Sequence, residues 1–287
     1  MESPTGESLR NYGPRVFGET ERTQLRERIL EAAKVDTPQL KNIDPKEVDT
    51  ILDHDLDMLQ EFERAALPHP QIYSDTDVVF VVSGPGEYSL DFPPYEKKPD
   101  RYQHLPWSRK MDRARVRAGV ILVKEITAQR LGKSAKDVTS EEILQHGPWL
   151  HYSATHWENE HVKGVLAQEV LKFPPEKIMM YEDIVGQDGK IRPIVNTADQ
   201  IEGLQFPEGL TPRRIAVVSH APHLVRAMHM LEKYKKRILK GTIVQPFPLP
   251  TPVAGVPKYA EIELVGTLAA IFKLHTASPI PYSYQLS

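Results

Sequence analysis

One pattern constrains this chain more than any other: five short apolar runs, the first four ending in serine or tyrosine and each followed further on by a helical segment. The runs are 77–83 (DVVFVVS), 149–153 (WLHYS), 177–181 (KIMMY), 214–219 (RIAVVS) and 242–245 (TIVQ). Helical periodicity fills 108–131, 158–172, 197–204 and 222–239 between them, and a last helix is expected at 260–273. Strands separated by helices pair in parallel, because a crossover returns the chain to the same end of the sheet. The pattern therefore predicts an α/β fold: a Rossmann-like three-layer sandwich around a mostly parallel five-stranded sheet.

Upstream, Leu25, Ile29 and Ala32 recur at helical spacing, as do Val48, Ile51, Leu52, Leu56 and Leu59. Asp44-Pro45 is a helix start, with proline at the first helical position. The expected organisation is a helical N-terminal extension over 1–70, an α/β domain over 71–247, and a Pro-rich C-terminal extension with one helix over 248–287.

Composition removes whole classes of function. Among 287 residues there is no cysteine, which excludes disulfides, thiolate metal sites and a cysteine nucleophile. A net charge of -3 and a pI near 6.4 argue against nucleic acid as a partner. The longest apolar runs, 78–82 and 215–218, are too short to span a bilayer, so no membrane anchor is expected. The polar, acidic start lacks a signal peptide's basic and apolar regions, so the expected location is cytoplasmic. The 25 prolines gather in loops, above all 85–107 and 246–257. A loop as long as 85–107, carrying Tyr88, Phe92, Tyr95, Tyr102 and Trp107, reads as a lid.

In an open α/β sheet, ligands bind beyond the carboxyl ends of the strands. Those ends carry Ser83-Gly84-Pro85-Gly86, then Ser153-Ala154-Thr155, then Glu182-Asp183, then Ser219-His220-Ala221-Pro222-His223. Ser83, Gly84 and Gly86 resemble a phosphate cradle but lack the third glycine of a dinucleotide fingerprint; an ordinary tight turn uses the same residues. His223 and Arg226, three apart at a helix start, share a face and can meet one anion. In the run Arg109, Lys110, Arg113, Arg115, Arg117, the apolar face is set by Met111, Ala114, Ala118, Ile121 and Leu122. The basic residues then lie on a solvated face, with Arg113 in the first turns reaching the site. The 11 histidines include no His-Glu-x-x-His, and no metal site is expected. Neither a Gly-x-x-x-x-Gly-Lys loop nor a Gly-x-Ser-x-Gly elbow occurs.

Val218-Ser219-His220-Ala221-Pro222-His223-Leu224-Val225-Arg226-Ala227 resembles the Val-Thr-Ser-x-x-His-x-x-Arg-Ala segment of the YdcF/SanA/ElyC-like family. The resemblance spans about 75–245. Asn196-Thr197-Ala198-Asp199-Gln200 is similar to that family's Thr-x-Glu-Asn turn, with Asp199-Gln200 in place of Glu-Asn. Glu160 falls where the family carries a glutamate after the second strand, Glu182 at its acidic position after the third, and Arg113 at the arginine of its first helix. What the resemblance implies is a polar pocket at the carboxyl edge of a Rossmann-like sheet.

Three functions remain open at this point. The first is a small-molecule enzyme or binder for a nucleotide-like or phosphorylated metabolite. Here Arg113 and Arg226 hold anionic groups, His223 moves a proton, and Glu160 or Glu182 orients a ribose or acts as base. Ser83, Gly84, Gly86, Ser153, Asn196, Thr197, Ser219 and His220 line the pocket. The second is an S-adenosylmethionine binder without methyl transfer, with Tyr88 or Trp107 stacking on adenine. The third is a non-enzymatic scaffold whose 246–252 segment docks in a polyproline conformation.

Overall fold

The computed structural model describes residues 18–66, 71–83, 109–154, 156–166, 171–185, 189–194, 197–234, 241–249 and 256–273, with the backbone alone for 109–113, 156–158, 161, 165 and 256–258. Gly84, Gly86, Thr155, Asn196, the 85–107 loop and the Arg113 side chain lie outside these.

Two helices open the described chain: α1 (Glu19–Asp36) and α2 (Pro45–Ala65). The Asp44 side chain caps α2 by accepting from the Lys46 N–H at 3.0 Å, and Pro45 takes the first helical position. Then come β1 (Val78–Val81), α3 (Arg109–Leu131), α4 (Ser140–His146), β2 (Trp149–His151), α5 (His156–Leu166), β3 (Ile178–Met179), β4 (Asp183–Val185), β5 (Ile191–Pro193), α6 (Thr197–Glu202), β6 (Arg214–His220), α7 (Ala221–Lys233), β7 (Ile243–Leu249) and α8 (Val256–Ile271).

The main sheet has the order β3-β2-β1-β6-β7, and every neighbouring pair is parallel. This is the α/β three-layer sandwich that the alternating runs predict. Side-chain alternation along β1 divides the core. Val78, Phe80 and Val82 face a cluster built with Leu25 and Ile29 of α1, Leu52, Leu56 and Leu59 of α2, Leu224 and Val225 of α7, and Leu264 and Leu268 of α8. Val79 and Val81 face the other layer, with Val116, Val120, Val123 and Ile126 of α3. The N-terminal helices and α8 thus share one core layer with the sheet.

Three local features differ from the sequence expectation. First, the buried stripe of α3 is rotated: Ile121 is 52% exposed, and Arg115 is fully buried beside Val116. A Cβ on Gly119 would stand 2.4 Å from Val81 Cγ2, so α3 lies unusually close to the sheet at that turn and the face through 115, 119, 122 and 126 points inward. Arg115 is therefore not on a solvated face.

Second, β7 runs through Pro246 and Pro248, paired with Val217 and Ser219 of β6. Ile243 N–H donates to Arg213 O at 2.8 Å, so the amides of every second residue from there face β6 and the two proline nitrogens face outward. Residues 246–249 are an edge strand, not a free polyproline segment.

Third, β4 and β5 form an antiparallel hairpin. Arg192 clamps it onto α6 through Asp199 and, at 2.9 Å, Glu202. Gly203 lets Ile184 approach, since a Cβ there would meet Ile184 Cγ2 at 1.9 Å. Among the described residues, no helix is long and apolar enough to cross a membrane.

Candidate functional site

β1 leads to β2 on one side of the sheet, and β6 lies on the other side of β1. The strand order therefore reverses between β1 and β6, and a crevice opens there at the carboxyl edge. Val82 N–H donates to Val218 O at 3.0 Å, so Ser83, just past β1, and Ser219, next to last in β6, lie at the same edge of the sheet. Both are buried.

α7 begins immediately after β6. His220 is its N-cap residue, Pro222 sits in its first turn, and His223 and Arg226 follow on one face. His223 is fully enclosed. Its Nδ1 lies 3.1 Å from Ser219 Oγ and its Nε2 lies 3.0 Å from Thr197 Oγ1. Arg226 Nη2 donates to the same Thr197 oxygen at 3.4 Å. The arrangement that uses every proton has Arg226 donating to Thr197, Thr197 to Nε2, and Nδ1–H to Ser219, whose own hydroxyl proton then points onward. Burial, reinforced by Arg226, Arg115 and His220, holds the His223 pKa well below the ordinary imidazole value. The ring is neutral, and it gains basicity when an anion cancels the guanidinium field.

α8 supplies the other wall. Glu263 Oε2 lies 3.0 Å from Arg226 Nη2, with both groups buried. Tyr259, one helical turn earlier, is also enclosed; burial and then Glu263 push its phenol upward, while Arg115 and Arg226 act the other way. Arg115 of α3 and Arg226 of α7 thus both bear electrostatically on His223 and Tyr259.

Toward β1, Gln200 Nε2 donates to Ser83 Oγ at 2.5 Å. Toward β2 and β3, Ser153 Oγ accepts from Tyr181 N–H at 3.1 Å. Asn159 ties the same two strand ends: its Oδ1 accepts from Ala154 N–H at 3.1 Å and its Nδ2 donates to Tyr181 O at 3.0 Å. His151 is buried against Phe80 and Tyr181, with ring centroids 5.1 and 5.7 Å away, and neither ring nitrogen has a hydrogen-bond partner among the described residues.

The structure therefore brings together Ser83, Thr197, Ser219, His220, His223 and Arg226, and places Ser153 on the same sheet edge. Glu160 and Glu182 have a different setting. Glu160 is half exposed, with Oε1 2.5 Å from Lys163 Nζ. Glu182 is half buried, and its backbone carbonyl accepts from Ile194 N–H at 2.8 Å.

Arg115, which the sequence assigns to a solvated face, Gln200, named there only as part of the 196–200 turn, and Tyr259, Glu263, His151 and Asn159 are participants outside the expected site set. Arg115 was findable, because it lies four and seven residues before Gly119 and Leu122 on one helix face. The contribution of α8 was not, because nothing local in 256–271 shows which edge of the sheet the helix reaches.

Among the described residues, no three histidine, aspartate or glutamate side chains converge as metal ligands. Compared with family models, with curated proteins and with solved structures, the chain matches none.

Proposed function

We propose that this chain binds, and acts on, a nucleotide-like or phosphorylated small molecule in the crevice between β1 and β6. One observation carries the reading: His223 and Arg226, buried on one face at the start of α7, are joined through Thr197 and stand with Arg115 at a helix N-terminus. Guanidiniums and a helix start both favour negative charge, and phosphate matches them in charge and in acceptor number. The resemblance of 218–227 to the YdcF/SanA/ElyC-like segment supports the same placement.

The neutral His223 gives the site chemistry as well as affinity. Glu263 already pairs with Arg226, and a bound anion adds to that compensation and offsets Arg115, which raises the imidazole's proton affinity and so couples ligand arrival to proton movement along the Thr197–His223–Ser219 chain. Transfer to or from a ligand group at Ser219 Oγ is the step this arrangement serves.

A thermal-shift and calorimetric screen with inorganic phosphate, ribose 5-phosphate, nucleotides, sugar nucleotides and S-adenosylmethionine tests the proposal. A ligand at about 100 times its Kd adds about 2.7 kcal/mol of stability, a clear shift in Tm. Stabilisation by a phosphorylated probe that disappears in Arg226→Lys, which keeps the charge but not the fork, supports the site. Stabilisation that persists in Arg226→Lys and Arg226→Ala alike would move the ligand elsewhere.

A further inference from the structure

The neutral half of the same crevice has its own recognition chemistry. Thr197 and Gln200 are three residues apart on α6, so they share a face and lie about 5–6 Å apart at Cβ. Thr197 reaches His223 and Arg226 on the β6 side, while Gln200 reaches Ser83 on the β1 side. α6 thus crosses the crevice with one end over the cationic groups and the other over a pair of uncharged groups.

That uncharged pair is incomplete. Gln200 is 4% exposed, and its Oε1 is buried with no hydrogen-bond partner among the described residues. Ser83 Oγ, 2% exposed, accepts from Gln200 Nε2, and its own hydroxyl proton has no acceptor among the described residues. The pair therefore offers one acceptor, the Gln200 amide oxygen, beside two donors, the second Gln200 N–H and the Ser83 hydroxyl proton. Turning the amide over exchanges the roles: Ser83 donates to Oε1, both Gln200 N–H groups become the free donors and the Ser83 oxygen the free acceptor, so a donor and an acceptor still stand side by side. A buried amide oxygen without a donor costs about 1–3 kcal/mol, so the site is complete only when something supplies that donor.

We infer that Ser83 and Gln200 read an amide-like edge on the ligand, one N–H beside one carbonyl or ring-nitrogen acceptor, carried about one sugar ring from its anionic group. This rests on the phosphorylated-ligand reading above and narrows it: the ligand is a phosphorylated molecule bearing a nucleobase or a carboxamide. Sites that hydrogen-bond such a group reject analogues lacking it, because the protein's own polar atoms are then left buried and unpaired.

Calorimetry with four probes decides the matter: ribose 5-phosphate, which has no such edge, and uridine, adenosine and nicotinamide mononucleotides, which separate pyrimidine, purine and carboxamide. The expected result is that at least one edge-bearing probe binds about tenfold or more tightly than ribose 5-phosphate. Gln200→Leu and Ser83→Ala then bring that ratio near one, while Arg226→Ala weakens both classes. Gln200→Glu, which presents acceptors only, is the second variant should Gln200→Leu unfold; it lowers the ratio for a probe that needs a donor from the protein.

Equal affinity of all four probes for the wild-type chain, with Arg226→Ala still weakening them, would overturn the inference and leave the phosphate reading standing; a trapped water then satisfies Gln200. Binding of none of the four would overturn both.

Discussion

His223 Nε2 stands 3.0 Å from Thr197 Oγ1, a hydroxyl that comes from a different helix 26 residues earlier in the chain. The imidazole at the head of α7 therefore takes its orientation from α6, and the position of α6 depends in turn on the Arg192 clamp to Asp199 and Glu202. Replacing the hydroxyl with a methyl at constant volume, Thr197→Val, removes one partner from a buried nitrogen. We expect a loss of about 1–2 kcal/mol in urea denaturation, together with a change in the His223 ring-nitrogen chemical shifts. Unchanged shifts would show that Ser219 alone holds the ring.

Arg226 and Glu263 form a buried pair at 3.0 Å. Arg226→Ala takes the guanidinium from beside a fully buried carboxylate and should cost about 3–5 kcal/mol. Adding Glu263→Gln removes the charge thus exposed to a low-dielectric surrounding, so the double variant should be more stable than Arg226→Ala alone. A denaturation cycle over the four proteins reads this, and additive effects would refute the coupling.

Two enclosed imidazoles link stability to pH. Burial pushes the His151 pKa down to about 3, and that of His223 moves the same way. An unfolded chain takes up these protons near pH 6.5 while the folded one refuses them. Stability is thus unaffected by them above pH 6.5 and falls as pH drops below it. The loss should be roughly 1 kcal/mol per pH unit per group, and for His151 it ends near pH 3. His151→Leu also removes two buried nitrogens that have no hydrogen-bond partner among the described residues. The variant should gain on the wild type as pH falls from 7 to 5; parallel stability curves would contradict this.

Two glycines are needed for their missing side chains. Gly119→Ala forces a Cβ to 2.4 Å from Val81 Cγ2, and Gly203→Ala to 1.9 Å from Ile184 Cγ2. Each should cost about 1–3 kcal/mol through overpacking. Gly203→Ala displaces the end of α6 and so acts on Thr197 and Gln200, whereas Gly119→Ala pushes α3 off the sheet and so acts on Arg115; both should weaken phosphate binding. Calorimetry with inorganic phosphate on both variants checks this, and unchanged affinity in either would detach that helix from the site.

The sheet was legible because β-branched runs such as 78–82 and 215–218 are the signature of strands buried on both faces. The head of α7 was legible too, since hydroxyl, histidine, proline and arginine follow a strand in one local stretch. Arg115 was obscured by neighbours of its own kind: five basic residues within nine positions read as a solvated face, and only contact with the sheet at Gly119 shows which one turns inward. Tyr259 and Glu263 come from a helix whose local pattern does not tell which strand ends it approaches. The β4–β5 hairpin was missed because its strands are three residues long, below the length at which alternation is readable.

Finally, the two flanks of the sheet bear on how the molecule behaves in a crowded solution. On one flank Pro246 and Pro248 remove two successive outward-facing donors, and on the other β3 is only two residues long. Neither flank gives a foreign strand a continuous row of amides to zip onto, so the sheet resists being extended into a fibril-like stack. The same prolines that stiffen the chain thereby act as a stop on self-assembly.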